Sequence, residues 1–459
     1  MRAHPEQRTG NRGDRRVHSR RRHLRRLWDE LATVEPFPQL DRWLSQRLRR
    51  ERSFGKRDRR WYTEALFTIV RFAYPALFVE SQLEHGTLPA DEAEWELRFD
   101  TFSRVLSDSL SLRTALFRSD FDHIYDLTQA RERYQRDPSG ASGDQSNAGR
   151  ALSACASVVR HTAHPGLRAA WQGIPSWLLP FLAARTSRSS WDDAVRDAFL
   201  RMQSYRPPVW LRLPSASAAR RLADRLQERG TEAAVSGAAV RVVAPPRLAV
   251  LEELAGCPVE MQDLASQGIG EMVVPGQGES VWDCCAGGGG KALLIAAQHP
   301  DATVYASDIR EYKLAELRRR AERVGAPPIR TAHWDASSGE TPPFAPADGF
   351  DWVLVDAPCS GSGTWRRNPD GRLRWAPTDL EQLTRLQRRL LHAALRATRP
   401  GGHVVYATCS WLVEENEAVV EDMLHTVADS SLERSAVMGC PAADADTTFA
   451  AVLVRGAAI

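Results

Sequence analysis

The chain has 459 residues, 43% of them apolar and 26% charged, the balance of a folded protein of two to three domains rather than a disordered or fibrous one. No stretch approaches the roughly 20 uninterrupted apolar residues of a membrane span, and the longest candidate, Ala65 to Val79, is broken by Arg71 and Pro75. Seven cysteines without a CxxC pair argue against both a disulfide framework and a zinc site, and the arginine-rich start lacks the apolar core of a secretory signal. No metal and a cytoplasmic location are therefore expected.

The net charge of +3 names no partner, but its distribution is uneven. Met1 to Arg26 holds ten arginines against Glu6 and Asp14, the composition of a disordered basic arm that binds polyanions. From Leu27 to about Arg136 apolar residues recur at helical spacing, as in Leu40, Trp43, Leu44 and Leu48. This predicts an all-helical domain over residues 27–136. Residues 137–149 are rich in Gly and Ser and read as a linker or exposed loop. Strand candidates Val209–Leu213 and Val240–Val243 enclose an amphipathic helix, Ser217–Arg229, so residues 150–270 should hold linker helices and a small α/β subdomain. From residue 271 to 459 strands and helices alternate. Strands are expected at Ser280–Cys285, Thr303–Asp308, Ile329–His333, Trp352–Asp356 and His403–Thr408, with helices centred near Leu294, Leu317 and Leu390 and another from Glu414 to Val427. Such alternation predicts a doubly wound parallel sheet that binds its ligand beyond the carboxyl ends of the strands.

Two sets of residues fall at those ends. The first is the turn Cys285-Ala286-Gly287-Gly288-Gly289-Gly290-Lys291, between a strand and a helix. Four glycines let the backbone approach a ligand, and the helix start offers unpaired N–H groups. A P-loop is excluded by Cys285 in its first position and by Ala292 after the lysine, and the dinucleotide fingerprint is met only in part. Asp308 and Asp335, after the second and third strands, suit the ribose and adenine of S-adenosylmethionine. Lys291 is one of only three lysines in the chain. The second set is Asp356-Ala-Pro-Cys359-Ser-Gly and Thr408-Cys409-Ser. Two cysteines at the ends of adjacent strands, beside a cofactor-type turn, point to nucleophilic catalysis.

These two cysteine motifs together resemble the RsmB/Nop (Sun) family of RNA cytosine-5 methyltransferases. Ile174-Pro-Ser-Trp-Leu-Leu179, Pro208-Val-Trp-Leu-Arg212, Val259 to Gln267 and Arg366-Arg-Asn-Pro-Asp370 extend the similarity. Ser53 to Arg60 more loosely resembles part of the NusB-like helical domain of bacterial members. The resemblance implies a Rossmann-like class I methyltransferase domain, a small α/β RNA-recognition subdomain and an N-terminal NusB-like domain. It also implies S-adenosylmethionine as cofactor, bound by residues 285–291 with Asp308, Asp335 and Asp356. Cys409 would then add to carbon 6 of cytosine, Cys359 would assist product release, and Asp356 would hydrogen-bond the base. Arg367 and Lys291 would face the RNA. Ribosomal RNA is the expected substrate and a monomer the expected state. Transfer RNA, or an RNA-binding assembly factor without activity, is the alternative; a DNA enzyme would place its nucleophile at Cys359. Tyr312, Trp334, Trp365 and Trp375 are candidates for stacking on bases. Two positions depart from the family pattern. Gly288 stands where the family has proline, which should loosen the turn, and Asp446-Thr-Thr-Phe449 stands for Asp-Gly-Phe-Phe.

Overall fold

The computed structural model describes residues 10–83, 88–137 and 147–456. The chain divides into two compact units, Met1–Pro180 with Asn368–Ala376, and Phe181–Arg367 with Pro377–Ile459.

The first unit is helical: α1 (Gly10–Ala32), α2 (Leu40–Arg50), α3 (Lys56–Arg71), α4 (Ala73–Ser81), α5 (Glu92–Val105), α6 (Ser109–Arg118), α7 (Phe121–Arg136), α8 (Asn147–His161) and α9 (Pro165–Trp171). Side-chain caps start several of them. Asp91 and Asp120 each accept the N–H three residues on, and Asp108 forms a reciprocal capping box with Ser111. The long apolar stretch through Val79 becomes two helices that break at Phe72, with Pro75 in the first turn of α4, where its missing N–H costs nothing. One core joins Leu24, Leu44, Leu66, Phe78, Phe99 and Leu127 to Leu152, Cys155 and Trp171, so the helical packing continues beyond residue 136.

The expected disordered arm differs from what is observed over residues 10–26, which are helical in α1; residues 1–9 lie outside the described residues. Arginine is a good helix former, and Leu24, Leu27, Trp28 and Leu31 bury one face. Residues 138–146 of the expected linker also lie outside the described residues.

The second unit opens with α10 (Leu179–Arg188) and α11 (Asp193–Gln203). A four-stranded antiparallel sheet follows, ordered β2-β3-β1-β4: β1 (Val209–Arg212), β2 (Ala233–Ser236), β3 (Ala239–Val242) and β4 (Glu260–Met261). Helices α12 (Ala216–Glu228) and α13 (Leu248–Ala255) cover it through Leu222, Leu226 and Leu251. After α14 (Leu264–Glu271) comes β5 (Ser280–Asp283), α15 (Gly290–Gln298), β6 (Thr303–Asp308), α16 (Glu311–Val324), β7 (Ile329–His333) and β8 (Phe350–Asp356). The short α17 (Gly371–Arg374) belongs to the first unit, and α18 (Asp379–Ala397), β9 (Thr398–Thr408), α19 (Glu417–Thr426), β10 (Ser430–Met438) and β11 (Thr448–Arg455) complete the second.

The large sheet is ordered β10-β11-β9-β8-β5-β6-β7, parallel from β9 to β7, with β11 and β10 antiparallel at the other edge. Its strands carry apolar residues on both faces, as a doubly covered sheet requires. Trp282, Tyr305, Val353 and Tyr406 pack towards α18 and α19, while Val281, Val304, Leu354 and Val405 pack towards α14, α15 and α16. Chain order reverses between β5 and β8, and a crevice opens there at the carboxyl ends. Asp283, Asp308, Asp356 and Thr408 are the last residues of β5, β6, β8 and β9.

Candidate active site

The turn between β5 and α15 is shaped by its glycines. Gly287 (φ 53°) and Gly289 (φ 80°) occupy the left-handed region that side chains disfavour. A Cβ on Gly289 would lie 2.3 Å from Leu317 Cγ of α16. The Gly287 N–H donates to Asp308 Oδ2 at 2.9 Å, and the Gly289 N–H to the Ala286 carbonyl at 2.8 Å. Beyond the turn lies a cavity of about 630 Å³, lined by Cys285, Ala286, Gly287, Gly288, Gly290, Lys291, Asp308, Asp335 and Asp356 of the expected residues. Gly289 lies behind that wall, against α16.

Asp308 is heavily engaged. Its Oδ1 accepts from the backbone N–H and Nε of Arg310, both at 2.8 Å, and its Oδ2 accepts from Arg310 Nη2 at 2.9 Å besides Gly287. Those four bonds fill the roughly four acceptor positions of a carboxylate. Burial opposes ionisation of Asp308, but these donors outweigh it and hold the carboxyl below its usual range. Asp335 is exposed and accepts from Ser337 N–H at 2.9 Å and Ser337 Oγ at 2.6 Å.

On the other side, Lys291 Nζ meets Asp356 Oδ2 at 2.6 Å. Burial would lower the Lys291 pKa, but Asp356, Asp283 and Cys409 raise it further, so the ammonium is charged. Cys359 and Cys409 come together with their sulfurs 3.3 Å apart. The hydrogen bond to Cys409 and burial hold the Cys359 thiol protonated, well above its usual pKa. Either sulfur of the pair can donate, and Cys409 also lies near the Lys291 charge.

Both cysteine segments are fixed by backbone and buried polar bonds. Gly363 donates to the Cys409 carbonyl at 3.0 Å, and a Cβ there would collide with the Thr447 carbonyl oxygen at 1.8 Å. The fully buried Glu415 accepts from the Ser360 N–H (2.8 Å), Ser360 Oγ (2.5 Å) and Gln387 Nε2 (3.0 Å). Asn416 Nδ2 donates to the Ser410 carbonyl at 2.9 Å.

Some expected residues lie elsewhere. Arg367 does not line the cavity; it is clasped between Asp263 Oδ2 (3.0 Å) and Asp446 Oδ2 (3.3 Å). Asp446 thus has a partner of its own, and β11 pairs in full with β9 and β10 despite the altered sequence before it. Trp365 and Trp375 are buried, Trp334 lines the cavity and Tyr312 is exposed. Asp283 was not anticipated. It is buried in the cavity wall, its Oδ1 lacks a hydrogen-bond partner, and burial with the nearby Asp356 charge pushes its pKa up to about 7. The available signal was an acid closing an otherwise apolar strand directly before the glycine turn. Among the described residues no group of three or more His, Cys, Asp or Glu could hold a metal, and no helix is long and apolar enough to cross a membrane.

The strand order, the glycine turn after β5 and the crevice at the carboxyl ends define a Rossmann-like domain of the class I methyltransferase type. The solved structure of PH0851 shows the same fold, with a TM-score of 0.62 and 20% identity over 94% of this chain and 98% of its own. Residues 271–453 match the family described as 16S rRNA methyltransferase RsmB/F. The Ribosomal RNA small subunit methyltransferase B of Xanthomonas campestris pv. campestris is 35% identical over 267 residues, 57% of this chain and 59% of that protein. The protein of the same name from Enterobacter sp. (strain 638) is 31% identical over 293 residues, 61% and 66% of the two chains. The chain therefore spans roughly three fifths of the length of the curated relatives it matches.

Proposed function

We propose that the protein is an RNA cytosine-5 methyltransferase that uses S-adenosylmethionine and acts in the cytoplasm, as a monomer, on small-subunit ribosomal RNA. The observation that carries this reading is the pair of thiols 3.3 Å apart, with Cys409 near Lys291, whose ion pair with Asp356 forms part of the wall of the glycine-turn cavity. The names of the relatives support the ribosomal substrate.

The cavity suits the cofactor. Its volume accommodates a molecule of that size, and the orphaned Asp283 oxygen in its wall matches a cationic ligand. Residues 285–291, Asp283, Asp308 and Asp335 would hold it, and bound there it supplies an electrophilic methyl group. Because Arg310 fills the acceptor positions of Asp308, a ribose hydroxyl has to displace that guanidinium, whose side chain is half exposed.

Carbon 5 of cytosine is a weak nucleophile until a thiolate adds to carbon 6. The Cys409 sulfur forms that bond, stabilised as a thiolate by the Cys359 S–H and the Lys291 ammonium. Asp356, held by Lys291, accepts a hydrogen bond from the polar edge of the base. After carbon 5 has gained its methyl group, Cys359, its own S–H proton passed to solvent, accepts the carbon 5 proton; the C–H electron pair re-forms the C5–C6 double bond, and the carbon–sulfur bond breaks to return the Cys409 thiolate. The target base has to leave its stack to enter such a site.

Incubation with labelled S-adenosylmethionine and protein-free total RNA, followed by mapping of the labelled nucleotide, tests the reading. Label in 5-methylcytosine of small-subunit ribosomal RNA supports it. Label in another base removes the cytosine chemistry, label in transfer RNA alone removes the ribosomal assignment, and no label removes the activity.

A further inference from the structure

Four consecutive glycines give a turn great conformational freedom, which a ligand has to suppress on binding unless the protein has already done so. Three ties hold the turn through its backbone N–H groups. They involve the N–H groups of Gly287, Gly289 and Ala286, the last donating to the Ser307 carbonyl at 2.9 Å. Gly288 is secured differently. Its carbonyl accepts from Arg320 Nη1 at 2.5 Å, a contact made across space from α16. The same guanidinium is anchored at its other edge, where Nε donates to Glu260 Oε2 at 3.2 Å and Nη2 pairs with the same oxygen.

We propose that Arg320 is a positioning residue for the cofactor, a clamp that ties the Gly288 carbonyl to the buried Glu260 at the start of β4 and so presets the glycine turn. The inference rests on the reading of this cavity as the S-adenosylmethionine site. Three features of the geometry support it. Arg320 and Leu317, one turn apart on α16, address successive residues of the turn, Leu317 closing on Gly289 and Arg320 on Gly288. Gly288 itself is outside the left-handed region, so nothing in its own backbone demands glycine. A Cβ there would lie 3.2 Å from Glu316 Oε1 and 3.3 Å from Arg320 Nη1, so the clamp closes over the bare α-carbon. Rigidity absent from the covalent chain at Gly288 is therefore supplied by Arg320. Glu260 is also paired with Arg323 and lies near Arg212, so removing Arg320 leaves no uncompensated buried carboxylate. Through Glu260 the clamp also joins the turn to the small antiparallel sheet.

The test uses the full chain. In cofactor-free protein, amide exchange at residues 287–290 should accelerate about tenfold in Arg320→Ala, and S-adenosylmethionine should bind about tenfold more weakly by calorimetry, the cost of ordering roughly one further residue. The adjacent exposed arginine of α16 is the control: Arg319→Ala should change both exchange and affinity by less than about twofold. Should Arg320→Ala not fold, Arg320→Lys serves, since one ammonium cannot bridge the carbonyl and the carboxylate together. Unchanged exchange and affinity in the Arg320 variants would overturn the clamp. So would losses of equal size in Arg319→Ala. If the unaltered protein binds no S-adenosylmethionine, the reading of the cavity fails, and the exchange data alone then decide whether the turn is clamped.

Discussion

At the scale of single residues the two cysteines are chemically unequal although their sulfurs touch. Cys359 is kept protonated by its bond to Cys409 and by burial, while Cys409 has the Lys291 charge near it. Cys409→Ala should therefore abolish methylation and give no covalent RNA adduct. Cys359→Ala should still permit addition but hinder release, so that an adduct accumulates that survives denaturation and is destroyed by protease. Denaturing electrophoresis with labelled RNA distinguishes the two, with Cys284→Ala and Cys285→Ala retaining a releasable product as controls; an adduct from Cys409→Ala alone would reverse the assignment. Asp283 carries a different prediction. Its folded pKa of about 7 lies above the usual carboxylate range, so the fold favours the protonated form. The associated stability is complete below about pH 4 and is lost as the pH rises through about 7. Asp283→Asn cannot ionise and should escape that loss. Its melting temperature relative to the unaltered protein should thus climb between pH 5 and 8 by a few degrees in scanning calorimetry, whereas a constant difference would mean that Asp283 ionises freely. Asp356, Cys359, Cys409 and the turn stand out in the sequence because each lies in a short local pattern. Asp283 and Glu415 do not, since a buried acid at a strand end or in a loop shows its meaning only when its surroundings are known.

Among the secondary-structure elements, α1 is the instructive case. Its composition suggests a free polyanion-binding arm, yet Arg20 pairs with Asp58 (2.5 Å), Arg21 with Asp122 (2.6 Å) and Asp126 (3.1 Å), and Arg26 with Glu51 (2.7 Å). Partners so far off in sequence cannot be read from a local charge count. Exposed pairs of this kind add little each; the buried stripe from Leu24 to Leu31 matters more. Leu24→Ala should cost about 2–5 kcal/mol of stability by denaturant titration, as a buried leucine does, and an arm without a role in folding would lose almost nothing. Because several of its arginines already have acidic partners, deletion of residues 1–26 should lower stability more than it flattens the salt dependence of RNA binding. The strand readings follow the same logic. Thr303–Asp308 matched β6 because a parallel strand inside a sheet is marked by a compact β-branched or apolar run, and Ile329–His333 matched β7 at the edge beside it. The edge strand β10 was missed. It is largely exposed and shifts register between Leu432 and Arg434, so it lacks the alternation that would announce it. In the small sheet, β2 and β4 are four and two residues long, too short to show a period.

For the molecule as a whole, sequence order and spatial units part company once. Residues 271–459 read as one continuous domain, but Asn368–Ala376 is counted with the helical unit. Leu373 of α17 is 3% exposed within the same core as Leu112, Leu116 and Tyr74, and α17 packs on α6. Within that unit Asp370 Oδ2 accepts from the Leu40 N–H at 3.4 Å, at the start of α2. Nothing in a nine-residue segment reveals which of two cores it will join, because both accept apolar residues and the choice is made by the contacts around it. The assignment has a measurable consequence. Leu373→Ala removes a leucine from the helical core and should destabilise that unit by about 2–5 kcal/mol, although the residue lies only fourteen positions after Cys359 in the sequence. Native-state amide exchange should report the loss in α2, α4 and α6. The amides of β5 and β8, and the affinity for S-adenosylmethionine, should stay within about twofold of the unaltered protein, since Leu373 belongs to a different core from those strands and sites without shared partners contribute independently. Protection lost in β5 but kept in α6 would place Leu373 energetically with the large sheet, against the division of the chain seen in the structure.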